Sequence, residues 1–465
     1  MKKDISVYSV IVAVFLIVQI PYIFRGLSGE HRLRQADTAA VARNFFAESS
    51  DILKPRIDNR RDKTGITAME FPVFNYLVSL IYRLTGSAWF GWGQIMSLVF
   101  AVGIFFLIYR FSVIMGFRFR YKAVIAVSLL MNDLFFRFSA KFMPETIALF
   151  TALSGSIFFI EYAAGRKDTY KILMSWFFLS MSILIRPYMV MLCFPVLVYT
   201  FRNIKNKSVE MKGAILGVSI LLPFSLWYYF YCPYLVEKYG LEYFYMGSGI
   251  TDGFFSCLTL DLWSGIIKKI LFDLPGFFLL PFFIAGLHYY ISNIEKYSYM
   301  NRAYMLGVPL SAVIILPVVA ADHFIKHPYY LFAAIPSIVI ITAIGLDNIA
   351  GIWKKFWTIF VLFFIIFIIN KTDTYLKDRD LVMLRNFMPV IENESEADDL
   401  FMIEGGEDPV YAYFIGRKGW PVKSEIAFDK EKLVKFREEN GVRFVLRKEK
   451  ENNSRFELIK LDGYK

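Results

Sequence analysis

The sequence predicts a polytopic α-helical membrane protein of about 11 transmembrane helices, followed by a small C-terminal α/β domain. Three observations carry this. Apolar residues make up 56% of the chain and charged residues only 20%, with a mean hydropathy of +0.46. Phenylalanine alone occurs 48 times, which is more apolar surface than a soluble globule hides. Apolar runs recur along residues 1–370 at lengths near the roughly 20 residues that a bilayer helix needs, then give way to dense charge.

The first run, about 5–25, follows M-K-K-D and is long for a signal-peptide core, with no small-residue cleavage site behind it. It predicts an uncleaved span with a cytoplasmic start. A long hydrophilic loop, 26–72, comes next. Within it, 36–49 carries Ala39, Ala40, Ala42, Phe45 and Phe46, a pattern for a helix lying on the membrane surface. Residues 71–84 predict a second such helix or a short span.

Full spans follow at about 92–112 and 123–139, and another starts just past Pro144. The stretch 172–200 is interrupted by Arg186-Pro187; proline removes a backbone donor, so two short spans are expected to meet near Arg186. Further spans are expected at about 213–231, 270–291, 303–320, 329–349 and 356–370, with another outer loop, rich in Tyr, Phe and Gly, at 232–263. Basic residues cluster in alternate connections, at Arg110–Lys122, G-R-K, R-N-I-K-N-K and W-K-K. By the positive-inside rule these are cytoplasmic, which puts the 26–72 loop and the C-terminus on the outer side of the membrane. The net charge of +11 is thus mostly topogenic, and no nucleic-acid partner is expected.

The domains read as 1–370, membrane-embedded, and 371–465, a small α/β domain on the outer side. The latter shows a helix near 376–392, a strand L-F-M-I-E, a strand or helix V-Y-A-Y-F-I, a helix near 429–440, and strands V-R-F-V-L-R and F-E-L-I-K-L. G-R-K-G-W at 416–420 reads as a surface turn. No phosphate-binding glycine motif is present, and the domain is expected to cap the membrane core. The three cysteines have neither C-x-x-C nor metal spacing. Cys193 reads as a core residue, and whether Cys232 and Cys257 pair is left open.

Charge packed beside a membrane is costly unless solvated or paired, so the first loop is the candidate reaction centre. Asp37 sits between Arg34 and Arg43 near the expected start of the 36–49 helix. There it is either a helix cap or a carboxylate that accepts a proton from an attacking hydroxyl or amine. Glu70 precedes Phe71-Pro72 where the chain returns to the interface, and Glu145 lies in M-P-E-T at the outer end of a span. Each is a first-turn carboxylate or a catalytic one. D-H-F-I-K-H-P-Y-Y brings His323, Lys326, His327, Tyr329 and Tyr330 to the same face. This is a phosphate-binding group or an aromatic interface belt with snorkelling cations. Arg186 is a further phosphate partner or a helix terminator.

R-Q-A-D-T-A opening the first loop, E-F-P-V-F-N-Y-L closing it, P-E-T-I-A, the central R-P and H-P-Y-Y-L-F-A-A-I-P resemble the GT-C glycosyltransferases. The likeness is to the bacterial branch related to protein O-mannosyltransferases and the lipid A aminoarabinose transferase, and it covers about 5–350 in the order of elements. It implies a GT-C-like fold and a polyprenyl (undecaprenyl) phosphate-linked sugar donor. Transfer would take place at the periplasmic face of the inner membrane, with anomeric inversion. It implies Asp37 as the catalytic carboxylate and matches Glu70 and Glu145 to the family's other acidic positions. The acceptor would be an envelope glycan, lipid or protein. The lipid A enzymes carry Glu-Lys-Pro-Pro where this chain has Glu70-Phe71-Pro72, so a donor-phosphate cation is missing there; either Arg34, Arg186 or His327 replaces it or the donor sits differently, which argues against lipid A aminoarabinose as the substrate. Metal use varies in the family, and the sequence shows no metal cluster. Two other readings belong to different classes: a flippase or transporter for lipid-linked sugars, and an O-antigen polymerase or ligase. Transporters place charge near the midplane and often contain repeats, whereas this chain has its charge at the interface and no repeat.

Overall fold

The computed structural model describes residues 2–24, 26–27, 29–60, 63–165, 168–205, 219–241, 260–320, 324, 326–352, 356–373, 379–405, 409–449 and 455–462. The chain divides into two compact units. One holds Met1–Ile23, Gln94–Tyr229 and Met246–Thr372; the other holds Phe24–Gly93, Phe230–Tyr245 and Asp373–Lys465. The first loop therefore groups with the C-terminal segment, whereas composition alone assigns it to a membrane domain of 1–370.

The described part of the first unit is helical. Four described helices have the length and apolarity to cross a membrane: Gly91–Ile114, Glu145–Ala163, Tyr299–Pro317 and Pro328–Ile352. Trp263–Asp273 and Phe277–Ser292 add a pair bent by 71°. Shorter apolar helices cover Val7–Ile23, Thr169–Ile185, Pro187–Arg202 and Phe360–Ile369. Among the described residues this is fewer full-length spans than the expected eleven or so: some runs break, and others are described only in part. The run at 123–139 becomes Ala123–Leu130 and Asp133–Phe138. Between them Asn132 caps the second helix, accepting from the Phe135 amide at 2.9 Å and donating to the Leu274 carbonyl at 2.6 Å. Near 276 the bend is made by Gly276 at φ 85°. At Arg186-Pro187 the chain breaks where the sequence places the break: Arg186 is extended, and Pro187–Cys193 forms a 3-10 turn. Part of the run expected at 213–231 lies outside the described residues.

These helices pack as helices in lipid do, through small residues and interhelical hydrogen bonds. Ser182 donates to the Ala148 carbonyl at 2.8 Å, Ser337 to Tyr304 at 2.7 Å, and Gln19 to Phe136 at 2.9 Å. One close crossing joins Leu280–Ser292 to Ile335–Ile352. A Cβ on Gly345 would stand 1.9 Å from the Phe282 carbonyl oxygen, and one on Gly286 1.9 Å from that of Ile341. Gly345→Val is therefore expected to cost about 3 kcal/mol by overpacking. The check is the thermal midpoint of detergent-purified protein; an unchanged midpoint would show that the helices can part freely. Apolar side chains such as Val10, Ile17, Phe106, Ile314 and Ile366 are more than half exposed, a surface suited to lipid contact.

The second unit contains a four-stranded sheet: β1 (Leu400–Glu404), β2 (Lys418–Val422), β3 (Phe444–Lys448) and β4 (Phe456–Lys460), in the order β2-β1-β3-β4. β1 runs parallel to β2 and β3, and β4 is antiparallel to β3. Alternate residues face opposite sides. Phe401 and Ile403 meet Leu384 and Ile391 of helix Arg379–Glu394, while Met402 meets Leu433 of helix Lys430–Asn440. The result is a helix–sheet–helix sandwich. The 416–420 turn expected from G-R-K-G-W is instead a helix end followed by an edge strand. Gly416 closes helix Val410–Ile415 at φ 63°, and Lys418 begins β2. Pro421 is tolerated because β2 is an edge. A Cβ at Gly419 would lie 1.8 Å from the Phe401 carbonyl oxygen, so only glycine fits.

Candidate active site

The first-loop helix spans Arg32–Ala47 and starts earlier than its apolar pattern implies. Its N-cap is His31, in the left-handed conformation at φ 61° and without a side-chain cap bond. Asp37 is thus in the second turn and is not a cap. It is buried, at 4% exposure. Residues 35–42 are all buried as well, so this part of the helix is embedded in protein on every face.

Arg34 stands one turn before Asp37 on the same helix face and forms an ion pair with Glu70. The helix Val73–Thr85, entered at Pro72, holds the first-loop helix at two levels: Asn75 donates to the Thr38 carbonyl at 2.7 Å, and Arg83 to that of Phe45 at 2.8 Å. With 13 residues it is too short to span a bilayer. The backbone around Asp37 is thereby pinned from one side.

Arg43 is engaged elsewhere in this unit. It pairs with Asp58, donates to the Tyr413 carbonyl at 2.7 Å and lies 4.7 Å from the centre of the Tyr413 ring. Asn44 donates to the second oxygen of Asp58 at 3.0 Å. Asp58 was not legible as a partner, because I-D-N-R-R-D looks like a solvated charge run.

Glu48 and Arg60 form a bidentate pair, with one arm at 2.8 Å. Burial alone would raise the Glu48 carboxyl, but hydrogen bonding and charge from Arg60, with Lys418 and Arg56 adding, hold it below its ordinary 4.5. A lowered carboxyl stabilises the fold above the unfolded-state value and loses that effect as pH falls through the folded one. The thermal midpoint is therefore expected to fall as pH drops below about 4.5, and Glu48→Gln to flatten that segment of the profile. Identical acid profiles for both proteins would assign the sensitivity elsewhere.

In the helical unit, Glu145 opens helix Glu145–Ala163, is fully buried, and pairs with Arg186, which is 3% exposed. The Arg186 guanidinium lies 5.4 Å from the centre of the Tyr329 ring. Around it, His327 is 5.3 Å from Tyr329 and 5.8 Å from Tyr330, and Tyr188 is 5.6 Å from Tyr330. His327, Tyr329 and Tyr330 are thus brought together with Arg186 and Glu145. Lys326 is exposed, and His323 lies outside the described residues. Lys141, which the sequence reading did not single out, is 7% exposed, with its ammonium 4.4 Å from the centre of the Phe138 ring. Phe138 in turn packs edge-on against Tyr329 at 5.8 Å. The signal was present in F-S-A-K-F-M-P-E-T, a lysine four residues before a buried glutamate, but it reads equally as a basic loop. Among the described residues no three His, Cys, Asp or Glu side chains gather as a metal site. Cys193 and Cys232 are free thiols, and Cys257 lies outside the described residues.

No family model and no curated protein matches the sequence. Solved structures do match. ArnT from Cupriavidus metallidurans, in its apo state, aligns with a TM-score of 0.64 at 11% identity, covering 95% of this chain and 92% of that one. The oligosaccharyltransferase of Archaeoglobus fulgidus aligns with a TM-score of 0.59 at 12% identity, over 96% of this chain and 69% of that one. The chain has the GT-C fold. The archaeal oligosaccharyltransferase also aligns in its complex with an inhibitory peptide and a dolichol-phosphate, at a TM-score of 0.57 and 11% identity. At such identities the likeness is one of fold, and it runs nearly end to end.

Proposed function

We propose that the protein is an integral membrane glycosyltransferase of the bacterial inner membrane. It moves one sugar from an undecaprenyl-phosphate-linked donor to an envelope glycan, lipid or protein at the periplasmic face. The observation that carries this reading is the GT-C fold shared over 95% of the chain. Buried ionisable groups among lipid-facing helices are costly and mark function, and they support it further.

In this reading Asp37 is the general base. The acceptor hydroxyl or amine attacks the anomeric carbon from the face opposite the phosphate. The new bond to carbon forms as the carbon–oxygen bond to phosphate breaks, so the configuration inverts. The acceptor proton passes to the Asp37 carboxylate, and undecaprenyl phosphate leaves with the bonding electron pair. Arg34 and Glu70 orient the Asp37 helix turn. Arg186, Lys141 and His327, with the hydroxyls of Tyr329 and Tyr330, bind the donor phosphate by charge-assisted hydrogen bonds. Glu145 fixes the Arg186 side chain, and Arg43 serves the fold. The fold supports transfer over flipping, and an assay in liposomes separates the two. Sugar incorporation into acceptor with release of undecaprenyl phosphate is the expected result. Translocation of intact lipid-linked sugar without bond cleavage would favour a flippase.

A further inference from the structure

The α/β domain contains a cavity of about 380 Å³, lined among others by Glu404, Tyr411, Lys423, Ser424, Glu425 and Lys448. That volume falls in the range of small-ligand sites. Its position is set by topology. Glu404 ends β1, Lys448 ends β3, and residues 423–425 follow the last residue of β2. With the order β2-β1-β3, the chain leaves β1 for one side and later returns to the other. The connections therefore diverge at the carboxyl edge of the parallel strands, the topological switch point at which open α/β sheets bind ligands.

The cavity is built around one fixed carboxylate. Glu404 accepts from the Ser424 hydroxyl at 2.5 Å and from the Lys448 amide at 2.7 Å, one anchor from each flanking strand's end. Two lysines and two glutamates share the lining, together with a serine and a tyrosine. A phosphate or nucleotide would meet repulsion from Glu404 and Glu425, and a prenyl chain would leave these groups buried and unsolvated. A polyhydroxylated ligand suits both signs of charge, because each sugar hydroxyl donates to a carboxylate and accepts from an ammonium.

We infer that this cavity is a saccharide-binding site that recognises the glycan part of the acceptor; the acceptor assignment rests on the transferase reading, the saccharide binding does not. The test uses the full-length protein in detergent, with maltose, cellobiose and chitobiose, and inorganic phosphate as the anion probe. Binding is read by saturation-transfer NMR and titration calorimetry. At least one disaccharide is expected to bind wild type, and to bind about tenfold more weakly to Glu404→Gln, which loses charge-assisted hydrogen bonds. The exposed pair Lys423→Met and Glu425→Gln, which does not touch the domain core, is expected to weaken binding as well and covers the case in which Glu404→Gln fails to fold. Binding of phosphate in place of the sugars, or sugar binding unaltered in the folded variants, would overturn the site. Donor turnover by wild type without disaccharide binding would overturn it while leaving the transferase reading intact. Disaccharide binding lost in the variants of a protein that turns over no donor would sustain the site and remove only its link to an acceptor.

Discussion

Asp37→Asn is expected to lower sugar transfer by roughly 10²- to 10⁴-fold, the usual contribution of a positioned general base. Asparagine preserves the shape of the side chain and cannot take the acceptor proton. Because Asp37 is buried in the second turn, and not at the cap, its loss removes no helix-terminal hydrogen bond. The fold is held by other residues, among them Asn75 on the Thr38 carbonyl and Arg83 on that of Phe45. The thermal midpoint of Asp37→Asn should therefore stay near that of wild type, and donor binding should persist. Asp37→Glu, which keeps the carboxylate but shifts it, should retain partial activity. Full turnover by Asp37→Asn would make Asp37 a structural residue and move the search to Glu70 and Glu145.

The second large effect is on stability. Glu145 and Arg186 form an ion pair with side chains 0% and 3% exposed. Removing one partner leaves an uncompensated buried charge, which costs about 3–5 kcal/mol. Arg186→Leu and Glu145→Leu are each expected to unfold well below wild type in a detergent melt. The double variant should recover most of that loss, since replacing a whole buried pair by apolar side chains is often near neutral. Transfer should stay abolished in the double variant if Arg186 holds the donor phosphate. Single variants as stable as wild type would mean that the pair is solvated and not buried.

Much of the membrane part was legible because long apolar runs and short basic connections are one-dimensional signals. The Arg186-Pro187 break was legible for a local reason, the missing amide of proline. The Asn132 break was not, since it depends on the Leu274 carbonyl, far along the chain. β2 was missed because K-G-W-P-V carries glycine and proline, tolerated only at the edge where it lies and against the Phe401 backbone. The start of the Asp37 helix was missed because H-R-L-R has no capping residue. The role of Arg43 required Tyr413, 370 residues away, and no reading of the first loop alone supplies it. What the residues themselves carried was the type of chemistry: carboxylates and cations that a membrane protein holds at a cost. The distribution of those groups into ion pairs is tertiary information.

The most direct test of the account is bond cleavage by the purified wild-type protein. Undecaprenyl-phosphate sugars are supplied as a panel with cell-envelope acceptors, and free undecaprenyl phosphate is measured against sugar incorporated. The account predicts release matched one for one by transfer for at least one donor, with inverted configuration in the product. Intact donor across the whole panel and every acceptor, from protein that still melts cooperatively, would contradict it.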